Sequence, residues 1–542
     1  MVNWKNWASS SYNRTIEPYY YGIKGGSYNP SNPTDYEIER LGTSGTDYLK
    51  TSDISKASDQ TFYLDARVNY DRQFNLHHVT GMLMYMQREY RSSVLPERNQ
   101  GFSGRFTYDY GQRYLVELNF GYNGTERLAK KERFEFFPAV SLGWVISNEK
   151  FFEPMTKYID NLKIRGSYGL VGSDETGLSA GAQHFLYIDQ VSLNNIGFTT
   201  GVDMNYTLYG PLVTNYAVVN GGWERVKKLD IGIDLELFRQ LTITADYFNE
   251  KRYNILLHRE SIGRNTLGYY TAKPWSNKGK VDNWGIELSV NWRKEFTKDL
   301  YVDFRGNFTY TENKYVNLDE PVYPYVWKTS TGKPLSRTTG YIAQGLFSSQ
   351  EEIDNSPTQN LGSTVKPGDI KYRDVNGDGK IDGSDQVMIS PYGTTPRIQY
   401  GLGMNVTYKK FDFGVFFNGS AKRTIMISGI SPFGQSDYNV MQFIADDYWS
   451  ESNPNPNAKY PRLGLTSSQT ANNTVASTYW MRNGNFIRFK TLELGYKFKY
   501  GRVYLNGDNI AVFSPFKLWD PELSWNAYPL QRTFNIGVQL NF

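Results

Sequence analysis

The closing stretch of the chain, Arg532–Phe542, reads RTFNIGVQLNF and sets Phe534, Ile536, Val538, Leu540 and Phe542 at alternate positions. Between them stand Thr533, Asn535, Gly537, Gln539 and Asn541, all uncharged. A strand turns successive side chains to opposite faces, so the segment is a ribbon with one apolar side and one polar side. It ends on an aromatic residue. These features predict the closing strand of a transmembrane β-barrel.

The pattern recurs from residue 60 onward. Phe62, Leu64, Ala66, Val68 and Tyr70 alternate with Thr61, Tyr63, Asp65, Arg67 and Asn69; Tyr114, Val116, Leu118, Phe120 and Tyr122 alternate with Leu115, Glu117, Asn119 and Gly121. Leu162–Leu170, Leu229–Leu237, Trp284–Trp292, Leu300–Tyr310, Tyr400–Tyr408 and Phe411–Phe417 repeat it, with charges on one face only. A soluble β-protein with an inward apolar face would share this alternation, but three features favour a membrane. The segments run about 9–12 residues, against ~5–6 in globular sheets, which matches a bilayer crossing. Several place aromatics at both ends of an aliphatic middle, as in Trp284-x-Ile286-x-Leu288-x-Val290-x-Trp292. Eight steps of ~3.3 Å tilted by ~40° span roughly 20 Å, close to the apolar band of an outer-membrane barrel. A charge facing lipid at mid-membrane costs ~2–4 kcal/mol, so clean apolar faces over many strands are what that solvent demands.

Composition agrees. Aromatics make up 16% of the 542 residues, led by 43 Tyr, and with 49 Gly they indicate β-structure with many turns. No run approaches 18 apolar residues, which excludes transmembrane helices. A net charge of +4 gives nucleic-acid binding no support, and the lack of Cys removes disulfides, thiolate zinc sites and cysteine nucleophiles. Connections alternate in length. Short ones fall at Gly111-Gln112, Arg239-Gln240, Lys409-Lys410 and Lys499–Gly501; long ones occupy about Gly172–Val226, Asn254–Lys280, Lys314–Arg397, Ala421–Asn485 and Ala511–Gln531. That is the habit of periplasmic turns and extracellular loops, and counting from Asn3–Tyr12 gives about sixteen strands. Residues 1–59 are expected to hold early strand and outer loop, and residues 60–542 the barrel proper.

The sharpest local motif is Asp374–Asp385, DVNGDGKIDGSD. Asp374, Asn376 and Asp378 occupy positions 1, 3 and 5 of a calcium loop, Gly379 the sharp turn, Lys380 the carbonyl position and Asp385 position 12. Alternating oxygens suit a hard cation, and Ile381 is placed to anchor the loop. An EF-hand would end on Glu and be flanked by helices, so the expectation is a helix-free variant holding structural Ca2+ in an outer loop. The alternative is an acidic turn that binds nothing. Catalytic constellations are absent, which argues against an enzyme. The four His (His77, His78, His184 and His258) have no HExxH or CxxC company, and His77-His78 is expected to open a strand. Trp223, Trp327 and Trp449 lie in or near long loops, as sugar-stacking platforms or as loop anchors.

Taken together the motifs resemble the barrel of SusC/RagA-type TonB-dependent outer-membrane transporters of Bacteroidetes. The resemblance rests on LPERNQGFSGRFTYDY (Leu95–Tyr110), RYLVELNFGYNGTERL (Arg113–Leu128), RFEFFPAVSLGWVISNEKFF (Arg133–Phe152) and NLKIRGSYGLVGSDE (Asn161–Glu175). It continues through GDIKYRDVNGDGKIDGSDQV (Gly368–Val387), FIRFKTLELGYKF (Phe486–Phe498), VYLNGDNIAVFS (Val503–Ser514) and YPLQRTFNIGVQLNF (Tyr528–Phe542). It implies a 22-stranded, plugged barrel, a SusD-like lipoprotein partner, coupling to TonB–ExbB–ExbD, and an oligosaccharide or peptide substrate. It also implies that Phe534, Ile536, Val538, Leu540 and Phe542 form the signal read by the insertion machinery. The opening residues, MVNWKNWASSSYNRT, lack a charged and apolar leader. No TonB box or plug precedes the barrel pattern, so the expectation is the carboxyl-terminal barrel part of such an importer. Two other functions remain open on the residues alone: a passive 16-stranded porin, and a soluble calcium-stabilised surface-binding β-protein.

Overall fold

A computed structural model describes residues 1–26, 36–51, 54–92, 95–175, 185–218, 220–262, 274–427, 440–523 and 527–541. Its main feature is one antiparallel sheet of sixteen strands, each paired with the next in chain order. The first eight are β1 (Val2–Ser11), β2 (Ser55–Phe74), β3 (His77–Arg91), β4 (Glu97–Tyr110), β5 (Tyr114–Thr125), β6 (Phe134–Val145), β7 (Ile159–Ser173) and β8 (Glu224–Leu237). Then come β9 (Leu241–His258), β10 (Trp275–Thr297), β11 (Leu300–Asn317), β12 (Ile398–Tyr408), β13 (Phe411–Ala421), β14 (Phe486–Phe498), β15 (Gly501–Phe513) and β16 (Thr533–Leu540). Both the strand number and the up-and-down order agree with the sequence reading. β1 and β16 end the order, and among the described residues no ladder joins them.

The ladders show how the faces are built. A row of directly paired residues runs Tyr114, Trp144, Ile164, Ile233, Ala245, Leu288, Phe308, Tyr400 and Gly419. Every member is apolar, aromatic or glycine, so one register line carries the apolar face across nine strands. It starts at the short-turn end of β5 and finishes near the long-loop end of β13. A line perpendicular to the strands that climbs the sheet in this way is the signature of strands tilted against the sheet's axis. Leu142 is 59% exposed and Ile536 is 81% exposed on this face. Apolar exposure on that scale is at home in hydrocarbon and costly in water. Phe534, Ile536, Val538 and Leu540 prolong the same face, opposite Gly507, Leu505, Val503 and Gly501 of β15. Phe542 lies outside the described residues.

The short connections need tight, left-handed backbone. Gly111 and Gln112 have φ of 56° and 54°, and Phe238 and Arg239 of 56° and 52°, the mirror-image turn geometry whose twist suits a hairpin. On the other side the strands outrun expectation. β10 spans 23 residues, and the connection expected over Asn254–Lys280 shrinks because Ile255 still pairs with Gly279 and Leu257 with Ser276. Above the apolar band both faces meet water, so hydrogen-bonded pairing continues where the alternation that reveals it has stopped.

Among the described residues the largest buried cluster is not in the sheet. Tyr341, Leu346, Ile370, Tyr372, Ile381, Ile425, Ile444, Trp449, Tyr460, Trp480 and Phe516 pack together, and all belong to connections on the long-loop side. Three long connections thus fold into one outer assembly with a core of its own. A smaller cluster of Leu128, Phe137 and Trp223 sits beside β6 and β7.

Candidate functional site

Two surfaces carry charge in a fixed arrangement: the polar face of the sheet and the outer assembly. On the polar face, Arg165 of β7 reaches Asp230 and Asp234 of β8, each at 3.2 Å, and Asp246 of β9 at 2.6 Å. Gly232 lies between the two β8 carboxylates, and a Cβ there would stand 2.6 Å from Arg165 Cζ. The absence of a side chain is what lets the guanidinium lie flat across the strand. Arg105 with Glu117 at 2.6 Å, Arg293 with Asp303 at 3.1 Å, and Arg502 with Asp412 and Glu493 repeat the cross-strand pairing. Gly401 and Gly403 relieve crowding here too, beneath Asn307 and Arg305. The wall is a water-compatible surface of opposed charges, each pair worth ~0–1 kcal/mol in open solvent.

The outer assembly is pinned by a buried polar network that joins segments about a hundred residues apart. Asp369 is fully buried; its carboxylate lies 2.6 Å from Arg462 Nε in an ion pair and accepts hydrogen bonds from Arg462 Nη2 at 3.1 Å and Asn473 Nδ2 at 2.7 Å. Burial pushes the Asp369 carboxyl up, and the Arg462 guanidinium opposes that shift. Asn473 Oδ1 accepts the Ile370 N–H at 2.9 Å, while Gln359 and Asn472 each donate to the Ile370 carbonyl at 2.9 Å. Leaving any of these buried groups unmatched would cost ~1–3 kcal/mol. Sequence reasoning passed over all of them, because nothing in their spacing distinguishes a buried loop amide from a solvated one.

The calcium-type loop stands at the edge of this network. Asp374 Oδ1 and Oδ2 accept the N–H groups of Gly377 (2.7 Å) and Gly379 (2.8 Å), Asn376 Oδ1 that of Asp378 (3.1 Å), and Asp378 Oδ1 that of Lys380 (2.9 Å). These are consecutive turns in which a side chain caps the backbone ahead of it. Gly379 has φ +79°, as the sharp turn requires. Asp385 is buried and takes the N–H of Val375 at 2.8 Å and of Asp382 at 2.9 Å. Ile381 is fully buried in the outer core. The loop is therefore held mainly by its own amides, and among the described residues no three His, Asp or Glu side chains converge as a metal centre. Asp374, Asn376 and Asp378 stay at the surface while Asp385 is buried, and the side-chain ligands they offer are oxygens, the type a hard cation accepts.

The tryptophans divide by burial. Trp223 stacks edge-on against Phe137 at 5.3 Å and donates Nε1 to the Arg133 carbonyl at 3.0 Å. Trp449 lies in the outer core. Both are anchors rather than sugar platforms. Trp327 stacks on Tyr325 at 4.8 Å and donates to the Ser384 carbonyl at 2.8 Å, clamping the calcium-type loop. His77 opens β3 as expected, beside the Tyr108 hydroxyl at 2.9 Å. His78 meets Asp71 at 2.8 Å, and His258 lies 3.6 Å from the Trp275 ring. His184 falls outside the described residues.

Comparison with known proteins identifies the architecture. A family model described as TonB dependent receptor-like, beta-barrel, matches residues 3–510. TonB-dependent receptor SusC of Bacteroides thetaiotaomicron is 27% identical over 470 residues, which is 81% of this chain and 43% of that protein. TonB-dependent receptor P3 of Formosa agariphila is 25% identical over 481 residues, 81% of this chain and 45% of that protein. The solved RagAB peptide transporter shares the fold, with a TM-score of 0.67 at 17% identity over 100% of this chain and 59% of that chain. The chain thus spans about half the length of the curated relatives it matches. Family and lipid-facing apolar surface together set aside the soluble surface protein, and the chain belongs to the TonB-dependent receptor β-barrel family of the outer membrane.

Proposed function

We propose that this chain forms the barrel part of a SusC/RagA-type importer that moves an oligosaccharide or peptide across the outer membrane. The observation that carries the reading is the union of a sixteen-stranded sheet, apolar outside and charge-paired inside, with outer connections folded around their own core. A simple pore needs the first; a receptor that holds a ligand or a lid needs the second as well. In this reading the outer assembly meets substrate and a SusD-like lipoprotein, and TonB–ExbB–ExbD supplies the energy. The test is uptake of labelled oligosaccharides and peptides by cells with and without the gene, each with the proton-motive force collapsed. Energy-dependent uptake that disappears with the gene supports import. Uptake that ignores the proton-motive force, with ion conductance in planar bilayers, would replace it with the passive porin.

Within the same reading, calcium binds at Asp374, Asn376, Asp378, the Lys380 carbonyl and Asp385 and staples the outer assembly. Support comes from the ligand spacing and the succession of side-chain-capped turns. Because the carboxylates do not converge unaided, the affinity belongs in the weak extracellular range, ~10⁻⁴–10⁻³ M. Calcium added at millimolar level is expected to slow proteolysis between residues 350 and 400. Equal cleavage with calcium and with chelator would defeat the assignment.

A further inference from the structure

Low on the lipid face, near the short turns, a recess of about 520 Å³ opens across β12–β15 and reaches Ile536 of β16. Two register rows frame it. Tyr408, Phe411, Tyr496 and Val503 pair in sequence along its lower edge, and Val406, Phe413, Leu494 and Leu505 above them. The Phe411 and Tyr496 rings lie 5.0 Å apart, and the side chains of both rows are apolar or aromatic. The two turns below are held side by side, since Lys497 N–H donates to the Lys410 carbonyl at 2.7 Å. Each turn presents a cation: Lys409 Nζ stands 5.5 Å over the Tyr408 ring and Lys499 Nζ 4.9 Å over the Tyr500 ring.

The nearby acids do not neutralise these lysines. Asp412 and Glu493 are on the opposite face of β13 and β14, where Arg502 of β15 holds both. Lys410 and Lys497 precede or follow lipid-facing Phe411 and Tyr496 and by strand alternation turn to that opposite face, whereas Lys409 and Lys499 stand in the turns outside the strands, over the Tyr408 and Tyr500 rings. What remains on the lipid side is a slot walled by apolar side chains, with Asp412 at its lining tied to Arg502, and two exposed ammonium groups at its mouth. In a bilayer a slot in an apolar wall fills with hydrocarbon, and cations at the headgroup level attract anionic lipid. We propose that the recess is a binding site for an anionic glycerophospholipid of the leaflet that meets the short turns. An acyl chain lies against Val406, Phe413, Leu494 and Val503, and the phosphate sits between Lys409 and Lys499.

The chain is extracted from its outer membrane in mild detergent and examined by native mass spectrometry with equal amounts of phosphatidylglycerol and phosphatidylethanolamine. The expected result is preference for phosphatidylglycerol of about tenfold, equivalent to ~1.4 kcal/mol, collapsing at high salt. The double variant Lys409→Gln/Lys499→Gln should bind both lipids alike, whereas Lys410→Gln/Lys497→Gln should keep the preference. Leu494→Trp, which fills the slot, should lower both adducts together. Heat-modifiable migration on gels checks that each variant is folded. Equal binding of the two lipids to the unaltered chain, or a preference that survives Lys409→Gln/Lys499→Gln, would overturn the proposal.

Discussion

Replacing Trp480 by Ala tests whether the outer assembly is a cooperative unit distinct from the sheet. Trp480 is almost wholly buried; its ring lies 5.1 Å from that of Tyr479 and 6.3 Å from that of Tyr460, and Nε1 donates to the Asn473 carbonyl at 2.7 Å. Truncating a buried tryptophan costs ~3–5 kcal/mol, and stranding the Asn473 carbonyl adds ~1 kcal/mol. A loss of ~4–6 kcal/mol corresponds to roughly 10³–10⁴-fold more frequent opening. Because Tyr460, Tyr479, Asn473 and the core around the ring all belong to connections, the loss should stay there. Hydrogen exchange followed by peptide mass spectrometry should quicken across residues 340–381 and 442–480, while β3–β6 keep their protection and the protein its heat-modifiable band. Exchange in the outer assembly changing by less than about tenfold would show that Trp480 is not the keystone that its burial indicates. Equal acceleration in β3–β6 would refute the separation of the two units.

Two further outcomes follow from the faces and the charges. Leu118→Arg places a cation on the lipid side of β5, 47% exposed in the middle of the strand, and should cost ~2–4 kcal/mol in denaturant unfolding. Asn119→Arg, one residue along and beside Glu117 on the polar side, should change stability by less than about 1 kcal/mol; equal losses would mean the faces are misassigned. In the outer assembly the Ser348 N–H and hydroxyl hold the Glu352 carboxyl below its ordinary range against burial. Burial would raise Glu320, yet N–H groups of Thr331 and Ser330 bring it lower. A carboxyl depressed by folding gives stability that is present above its unfolded pKa and lost as pH falls through the folded one. Proteolysis of the outer assembly should therefore increase as pH drops below the ordinary glutamate value of ~4.3. In Glu320→Gln/Glu352→Gln this increase should be weaker; a variant with the same profile would show that other groups, such as the oppositely shifted Asp369, control it.

What the sequence determined by itself is the sheet. A two-residue period of apolar side chains leaves no freedom about which face meets lipid, since a slip of one residue would bury every charge in hydrocarbon. Strand number, order, the short turns and the apolar face of β16 follow from that constraint and from local turn chemistry. The turns of Asp374–Lys380 are local in the same way, since Asp374, Asn376 and Asp378 bond backbone groups two to five residues ahead. Only the tertiary structure decided the rest. The outer core joins Ile370, Ile425 and Trp480, and Asp369 meets Arg462 and Asn473, across separations that no local period encodes. The tilt of the apolar row from Tyr114 to Gly419 is likewise a property of registers between neighbours. So is the recess at Tyr408 and Leu494, whose side chains share a face by alternation but enclose a space only because three ladders align them. Short-range physics is written along the chain. The assembly of long connections is decided by which buried polar groups find partners once the sheet has brought their ends together.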